Sequence, residues 1–326
     1  MTGPVMRAVG ITQFGGPDVL EIVERPVPEP GDGEVRIRVA AATVNPTDTA
    51  LRSGRFGAPD GVEPPYVPGM ELAGTVDAAP ADSGFRPGDR VMAITSPRTA
   101  RGGAQAELVV VPADSVVAVP DRISLVAAAT LPMNGLTARI ALDLLALGPG
   151  QTLAVTGAAG AVGGYTIQLA KVAGLRVIAD ALPKDSELVR ILGADVVVPR
   201  GQEVAAAIRL ATGDGADGLV DAAVIGQEVL SAVRDGGHVI AVRTYRGDTE
   251  RSIKVTTAWI GDYLRARDKL ADLARLAAAG RLTLRVARTL PAERAAQAHA
   301  LLEAGGVRGR LVLTFYRRAG RPRCGC

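Results

Sequence analysis

Short segments that are apolar along their whole length occupy the middle of the chain and alternate with helix-forming segments. After about Pro120 these segments are, in order, TLAVTG, LRVIAD, DVVVP, GLVDAA and HVIAV, with a helical pattern between successive members. A strand that is apolar on both faces is typical of a parallel sheet covered by helices on both sides. We therefore predict an α/β architecture with a parallel sheet in this region.

The two flanking regions have a different pattern. Before about Pro120, prolines and glycines separate short predicted strands, namely VRIRVAAATV, ELAGTVDAA, DRVMAI and AELVVVP. This pattern predicts an antiparallel or barrel-like region. From about Ala266 two helices and the strand GRLVLTF follow, and we expect this last part to return to the first region. A chain of 326 residues favours two such lobes over one core.

Composition argues against several classes of function. The net charge is +3, and four arginines lie in the last ten residues, at positions Arg317, Arg318, Arg321 and Arg323. The rest of the chain is close to neutral, so we expect no nucleic-acid partner. The N-terminus does not resemble a leader and no apolar run is long enough to cross a membrane, so we expect a cytoplasmic protein. Both cysteines, Cys324 and Cys326, lie in the tail, to which we assign no function.

The glycine loop VTGAAGAVGG follows the first parallel strand directly and opens a helix. Glycine permits a tight turn and a close approach to a pyrophosphate, and the first amides of the helix point at its negative charge. The spacing is G-x-x-G-x-x-G, and the alternative is a strand-to-helix turn without a ligand. We predict that the loop binds a dinucleotide through Gly157, Ala158, Ala159, Gly160, Ala161, Val162 and Gly163.

The next strand ends in an acid that bears on the choice of dinucleotide. Asp180 follows Gly157 by 23 residues, where a carboxylate can accept hydrogen bonds from the adenosine ribose. This arrangement favours NADH, whereas Lys184 and Arg200 can attract the 2′-phosphate of NADPH. The alternative is that Asp180 caps the next helix and both cations are solvated. The choice between NADH and NADPH stays open.

Eight landmarks along nearly the whole chain resemble one family, the medium-chain dehydrogenase/reductases, and specifically its zinc-independent quinone oxidoreductase and enoyl reductase branch. They are VNPTDTALRSG (44–54), VPGMELAGTV (67–76), FRPGDRVMA (85–93), GGAQAELVVVPAD (102–114), LPMNGLTA (131–138), the AAGAVGG loop, ILGADVVV (191–198) and GVRGRLVL (306–313). The resemblance implies a GroES-like, β-rich catalytic domain over 1–120, completed by 266–326. It also implies a Rossmann domain, a doubly wound parallel sheet, over 121–265.

The resemblance also bears on metal binding. Alcohol-oxidising relatives hold a catalytic zinc through Cys, a His-Glu pair and a third Cys or His, but the matching positions here are Asn45, Met70 and Met133. An amide and two thioethers do not make a zinc site, so we expect none. Without a metal, the natural hydride acceptors are quinones, enones and enoyl thioesters, because these substrates disperse the incoming charge themselves.

Several residue roles follow from the resemblance. Asn45 is expected to hydrogen-bond the substrate carbonyl or the nicotinamide amide, with a loop cap as the alternative. Thr137 is expected to contact the nicotinamide side of the cofactor, unless it only packs its helix. Asp48 is taken as an orienting group, or else as a capping or solvated acid.

The sequence offers more than one candidate for the proton donor. Many relatives carry Tyr where this chain has Ala50 and Phe56, so Tyr245, which follows the strand HVIAV, becomes the candidate, with a packing role or a water donor as alternatives. The predicted substrate pocket comprises Phe56, Tyr66, Met133, Arg243 and Trp259.

The remaining expectations concern histidines, assembly and a rival function. We expect His238 and His299 to be structural, with satisfied hydrogen bonds. Relatives commonly dimerise through the edge of the Rossmann sheet, which makes a homodimer the expected assembly. The rival to a reductase is a cofactor-binding, non-catalytic or regulatory protein of the same fold.

Overall fold

The computed structural model describes residues 3–315 and divides into two compact units. The first combines the described residues up to Pro132 with those from Val286 onward, and the second is Met133–Arg285. The described residues from Val286 onward therefore belong to the first unit. The unit boundaries lie further along the chain than residues 121 and 265, because residues 266–285 bond within the second unit, for example from Lys269 Nζ to Asp143 Oδ2 at 2.6 Å. The predicted tail features at 317–326 lie outside the described residues.

Fifteen strands and eight α-helices make up the described chain. In chain order the strands are β1 Val5–Ile11, β2 Leu20–Pro26, β3 Glu34–Thr43, β4 Glu71–Ala78, β5 Arg90–Ile94, β6 Leu108–Pro112, β7 Val116–Ala118, β8 Thr152–Thr156, β9 Arg176–Ala181, β10 Val196–Pro199, β11 Ala216–Asp221, β12 Val233–Ala241, β13 Lys254–Thr257, β14 Val286–Pro291 and β15 Arg310–Thr314. The helices are α1 Pro46–Arg52, α2 Leu125–Ala128, α3 Pro132–Leu145, α4 Ala161–Val172, α5 Ser186–Ile191, α6 Val204–Thr212, α7 Arg267–Ala278 and α8 Ala295–Glu303. Among them, none has the length and apolar character that a bilayer-spanning helix needs.

A mostly antiparallel sheet forms the first unit. Its strand order is β14-β15-β3-β4-β5-β7, β6 pairs with β3, and β1 and β2 form a separate antiparallel pair. In β3 the side chains of Val35, Ile37 and Val39 are buried, and the residues between them are more exposed. This alternation is typical of a sheet with one face on the core, which confirms the predicted β-rich domain.

A buried ion pair joins three strands of this sheet. Nη2 of Arg310, at the start of β15, donates to Oε1 of Glu71 on β4 at 2.9 Å and to Oγ1 of Thr43 on β3 at 2.9 Å. All three side chains are buried, and the Thr43 hydroxyl also donates to Glu71. A charge removed from water is stable only when it is paired and hydrogen-bonded. The ion pair thus fixes the late strand β15 against the early strands.

A six-stranded parallel sheet forms the second unit, in the order β10-β9-β8-β11-β12-β13. The predicted doubly wound sheet is confirmed. From β8 the chain builds outward in one direction through β9 and β10, then crosses back to β11 and builds in the other. The carboxyl ends of β8 and β11 therefore flank the switch point, where open α/β sheets bind their ligands.

One predicted helix of this unit is wrong. Between β11 and β12 the structure has a 3-10 segment, Gly226–Ala232, and no α-helix. The left-handed backbone of Val224 (φ 59°) and Gly226 (φ 83°) bends the chain away from α-helical geometry. The carboxylate of Asp221 holds this bend by accepting hydrogen bonds from the amides of Ile225 and Gly226.

The two histidines differ in their surroundings. His238 shares a 2.9 Å hydrogen bond with the Thr256 hydroxyl, as expected of a structural histidine. His299 on α8 is fully buried, and within the described residues neither ring nitrogen has a hydrogen-bond partner, so the prediction of satisfied bonds is wrong for it. Burial, together with the positive charge of Arg52, lowers the pKa of His299 to about 3.

Replacing Arg310 by Met should destabilise the first unit strongly. The Glu71 carboxylate would remain buried without its cation, which costs about 3–5 kcal/mol of unfolding free energy. Urea unfolding should show this loss, and the matched double variant Arg310→Met/Glu71→Leu should recover most of it, since neither charge then remains. A double variant no more stable than the single one would contradict this role for the ion pair.

The buried His299 should make the free energy of unfolding depend on pH. Its pKa lies near 3 in the folded chain and about 6.5 in an unfolded one, so the unfolded state binds the extra proton between these values. Stability should fall by up to about 1.4 kcal/mol per pH unit as the pH drops below about 6.5. His299→Leu should reduce this slope in urea unfolding measured from pH 7 to 4, whereas His238→Gln should change it less. An identical slope in His299→Leu and the unmodified chain would refute the assignment.

Candidate active site

The glycine loop follows β8 and occupies the switch point of the parallel sheet. Gly157 has a left-handed φ of 66°, and a Cβ there would lie 2.8 Å from the backbone of Ala222 and Ala223, which follow β11. At Gly163 a Cβ would lie 2.5 Å from the carbonyl oxygen of Gly157. Both glycines are therefore required for close packing of the loop between β11 and α4.

The loop leaves the start of α4 accessible. Gly157, Ala158 and Ala159 are buried, whereas Gly160, which precedes the helix, and the next two residues, Ala161 and Val162, are half-buried. The first amides of an α-helix have no partner within the helix and carry its partial positive charge. This end of α4 therefore offers free amides and partial positive charge, and its binding of a dinucleotide stays a prediction.

Asp180 lies beneath the loop, at the end of β9. Its Oδ1 accepts a hydrogen bond from the Ala158 amide at 3.0 Å, and Arg200 Nε lies 3.9 Å from Oδ2. Burial raises the pKa of Asp180, partly offset by the Ala158 amide. Helix α5 is preceded by Asp185, so the alternative in which Asp180 caps the next helix is wrong. Lys184 is exposed.

In the first unit Asn45 belongs to the buried ion-pair cluster. Its Oδ1 accepts a 2.6 Å hydrogen bond from Arg310, and its Nδ2 lies 3.2 Å from Thr43 Oγ1 and from Glu71 Oε1. Asn45 is 1% exposed and stands at the N-cap of α1, which corresponds to the loop-cap alternative. Its contact with a substrate or nicotinamide stays a prediction.

Asp48 orients the loop before α1. Its Oδ2 accepts from the Asn45 amide at 2.8 Å and its Oδ1 from the Gly69 amide at 2.9 Å. Complete burial raises the pKa of Asp48 to about 7, against the lowering effect of these amides and of Arg310. The side chain therefore joins the segment at Asn45 to the strand entry at Gly69 and acts as a cap.

Two predicted residues of the second unit share a pocket. Arg243 and Tyr245 line a cavity of about 160 Å³ beyond β12, together with Asp221 and Gln227. The Tyr245 hydroxyl donates to the Asp248 carbonyl at 2.6 Å, and its pKa is raised by burial and by the nearby acids Asp248 and Glu250. The phenol is therefore protonated at neutral pH.

The other predicted pocket residues have separate surroundings. Tyr66 stacks on Phe14 with ring centroids 5.5 Å apart and is part of the core of the first unit. Phe56 and Trp259 are 49% and 63% exposed.

In α3 the Thr137 hydroxyl donates to the Met133 carbonyl at 2.7 Å, the geometry of its helix-packing alternative. The cofactor role of Thr137 and the pocket role of Met133 stay predictions.

Three residues that shape the sites were not singled out from the sequence. Asp221 accepts hydrogen bonds from the Thr156 hydroxyl at 2.6 Å and from two amides after β11. Its signal was available, since it ends the strand GLVD as Asp180 ends its own strand. Arg285 and Arg310 act on partners more than a hundred positions away, and no local pattern marks them. Among residues 3–315, no three His, Cys, Asp or Glu side chains are grouped as a metal site would require.

Known proteins match the chain along most of its length. Residues 31–121 match the family model described as Alcohol dehydrogenase GroES-like domain, and residues 192–313 match Zinc-binding dehydrogenase. The quinone-oxidoreductase QR1, chloroplastic, of Triphysaria versicolor is 34% identical over 68% of this chain and 70% of its own length. The NADPH-dependent alkenal/one oxidoreductase, chloroplastic, of Arabidopsis thaliana is 33% identical over 73% of this chain and 62% of its own length.

A solved structure agrees with these matches. The mycobacterial protein Rv1454c complexed with NADPH is 30% identical and superimposes with a TM-score of 0.83, over 95% of this chain and all of that chain (100%). The two units, the switch-point glycine loop and these similarities lead to one conclusion: the chain belongs to the medium-chain dehydrogenase/reductase family, in the branch of the quinone oxidoreductases.

Proposed function

We propose that the chain is a zinc-independent, NAD(P)H-dependent oxidoreductase that transfers a hydride to a quinone or to the activated C=C bond of an enone or enoyl substrate. The observation that carries the proposal is the glycine loop, which brings the start of α4 to the switch point between β8 and β11. The names of the relatives, quinone-oxidoreductase and alkenal/one oxidoreductase, support the class of hydride acceptor.

The side chains of the second unit fit a nicotinamide dinucleotide. Gly160, Ala161 and Val162 at the accessible start of α4 would hold the pyrophosphate. Asp180 would accept from the ribose hydroxyls, and Arg200, near its carboxylate, would attract a 2′-phosphate. When bound, the cofactor supplies a hydride from C4 of its nicotinamide ring. NADH and NADPH both remain candidates.

Protein groups would supply orientation and a proton. The protonated phenol of Tyr245 would donate to the substrate oxygen after releasing the Asp248 carbonyl, and Arg243 in the same pocket would attract the developing negative charge. The Nδ2 group of Asn45, which lies 3.2 Å from Thr43 Oγ1 and from Glu71 Oε1, would donate to the substrate carbonyl or to the nicotinamide amide.

Zinc independence is supported by the chemistry of the donor set. Asn45, Met70 and Met133 stand where alcohol-oxidising relatives have their zinc ligands. Zinc sites use thiolate, imidazole or carboxylate ligands, and none of these three side chains offers one. A substrate that disperses the incoming charge over a conjugated system needs no such ion.

The proposed protein is a cytoplasmic homodimer with a small-molecule substrate, and with neither nucleic acid nor membrane as partner. The exposed edge strand β13 of the parallel sheet supports the dimer, because an edge strand presents unpaired backbone groups to a second sheet. A cofactor-binding protein without turnover is the rival, and the engagement of Asn45 and Tyr245 in internal hydrogen bonds favours it.

Oxidation of NADH and NADPH with a panel of quinones, enones and enoyl thioesters separates the two proposals. We expect turnover with at least one panel member, followed by loss of nicotinamide absorbance. Tyr245→Phe should lower the rate for enones more than for quinones, because the enolate left by hydride transfer is more basic than the hydroquinone anion, which can take its proton from water. Tight binding of the cofactor without oxidation by any acceptor would contradict the reductase and support the rival.

Asp180 and Arg200 should shift cofactor preference in opposite directions. Asp180→Ser removes the carboxylate that repels a 2′-phosphate, so the ratio of Kd for NADPH to Kd for NADH should fall by about tenfold, the effect of roughly 1.4 kcal/mol. Arg200→Gln should raise the same ratio. Fluorescence titration with both cofactors measures this ratio, and Lys184→Gln tests the second cation that can attract the 2′-phosphate. Unchanged ratios in both variants would remove these residues from the ribose site.

A further inference from the structure

The residues that lead out of the second unit lie along one side of α4. The Thr283 amide donates to Oε1 of Gln168 at 3.1 Å, and Nε2 of Gln168 donates to the Thr283 hydroxyl at 2.9 Å. Two residues later, Arg285 reaches the first turn of the same helix. The segment 283–285 thus runs from the middle of α4 toward its N-terminus, anchored at both ends.

Arg285 ends on the carbonyls of the glycine loop. Its Nη1 donates to the Ala159 oxygen at 3.1 Å and its Nη2 to the Gly160 oxygen at 2.6 Å. One guanidinium group therefore bridges two successive peptide groups of the loop. Because these are hydrogen bonds from a charged donor, they hold more strongly than bonds between neutral groups.

Gly164 provides the space for this contact. A Cβ at Gly164 would lie 2.6 Å from Nη2 of Arg285 and 3.3 Å from a methyl of Leu192. Gly164 stands within α4, where alanine would otherwise be favoured over glycine. The glycine is therefore explained by the approach of the guanidinium, and not by the conformation of the helix.

The charge of Arg285 opposes the helix dipole. The N-terminus of a helix carries partial positive charge and favours acidic neighbours, yet here a cation is fixed beside it. The arrangement raises the positive potential at the accessible start of α4. An anionic group bound at that end would be attracted by both the amides and the guanidinium.

We propose that Arg285 is a positioning residue for the pyrophosphate of the dinucleotide. It fixes the Ala159 and Gly160 carbonyls, so that the amides at the start of α4 keep their direction, and it adds positive charge behind them. Gly164 is the second residue of this arrangement, because the absence of a side chain there leaves space for the guanidinium. This inference rests on the proposed function and deepens it by naming the part of the cofactor that Arg285 serves.

The test is a double-mutant cycle on cofactor binding. The variants are Arg285→Met, Gly164→Ala and the double variant, with Arg285→Lys as the conservative replacement. Kd for NADPH and NADH is measured by nicotinamide fluorescence, and ADP and adenosine are titrated as competitors that differ in the diphosphate. Urea unfolding of each variant reports whether the fold is retained.

We expect Arg285→Met to weaken NADPH, NADH and ADP by about tenfold, because the loop carbonyls lose their anchor and a positive charge near the pyrophosphate is removed, and to leave adenosine unchanged. Arg285→Lys should restore part of the loss. Gly164→Ala should reproduce the loss by displacing the guanidinium, and the double variant should bind no worse than either single one.

Three results would overturn the inference. The first is equal weakening of ADP and adenosine binding in Arg285→Met, which indicates a general structural defect. The second is a loss of affinity in the double variant equal to the product of the two single losses. The third is unchanged cofactor affinity in Arg285→Met. In the last case wild-type binding of NADPH or NADH would leave the proposed function intact. Failure of the unmodified chain to bind either dinucleotide would overturn both the inference and the proposed function.

Discussion

A buried ion pair joins an early and a late part of the chain in the first unit. Arg310 on β15 meets Glu71 on β4, with Thr43 and Asn45 completing the cluster. An unpaired buried charge is strongly unfavourable. Strand β15 therefore pairs where Arg310 can reach the carboxylate of Glu71. The cluster also holds the side chain of Asn45, which we propose contacts the substrate or the nicotinamide. A structural ion pair and the amide proposed for catalysis therefore share their hydrogen bonds.

The second unit depends on the close approach of backbone segments, and not on a buried pair of opposite charges. Gly157 and Gly163 allow the loop after β8 to lie against β11 and α4, and Asp221 and Asp180 bind amides on either side of it. The accessible start of α4 is left facing the switch point. We propose that Arg285 completes this arrangement from behind the loop. In this proposal the pyrophosphate is bound by backbone amides, which Asp221 and Arg285 hold in place without contacting it.

The parallel sheet of the second unit and its glycine loop could be predicted from the sequence, because both are marked by local patterns. Strands such as LRVIAD are apolar throughout and the loop glycines sit between a strand and a helix, so local patterns report the parallel sheet and its loop. In the region after β11 the apolar run is typical of a helix, but Asp221 and the left-handed Val224 impose a bend there. Arg285, Arg310 and the unpartnered His299 depend on neighbours far along the chain, and nothing in their own segments reveals them.

Hydride transfer without a metal can be tested directly by comparing the oxidation rate with the zinc content of the protein. The purified protein is dialysed against a strong zinc chelator, its zinc content is determined by elemental analysis, and its oxidation of NADPH or NADH by an active quinone or enone is compared before and after. The account predicts an unchanged rate with far less than one zinc per chain. A rate that disappears with the chelator and returns with added zinc would contradict it.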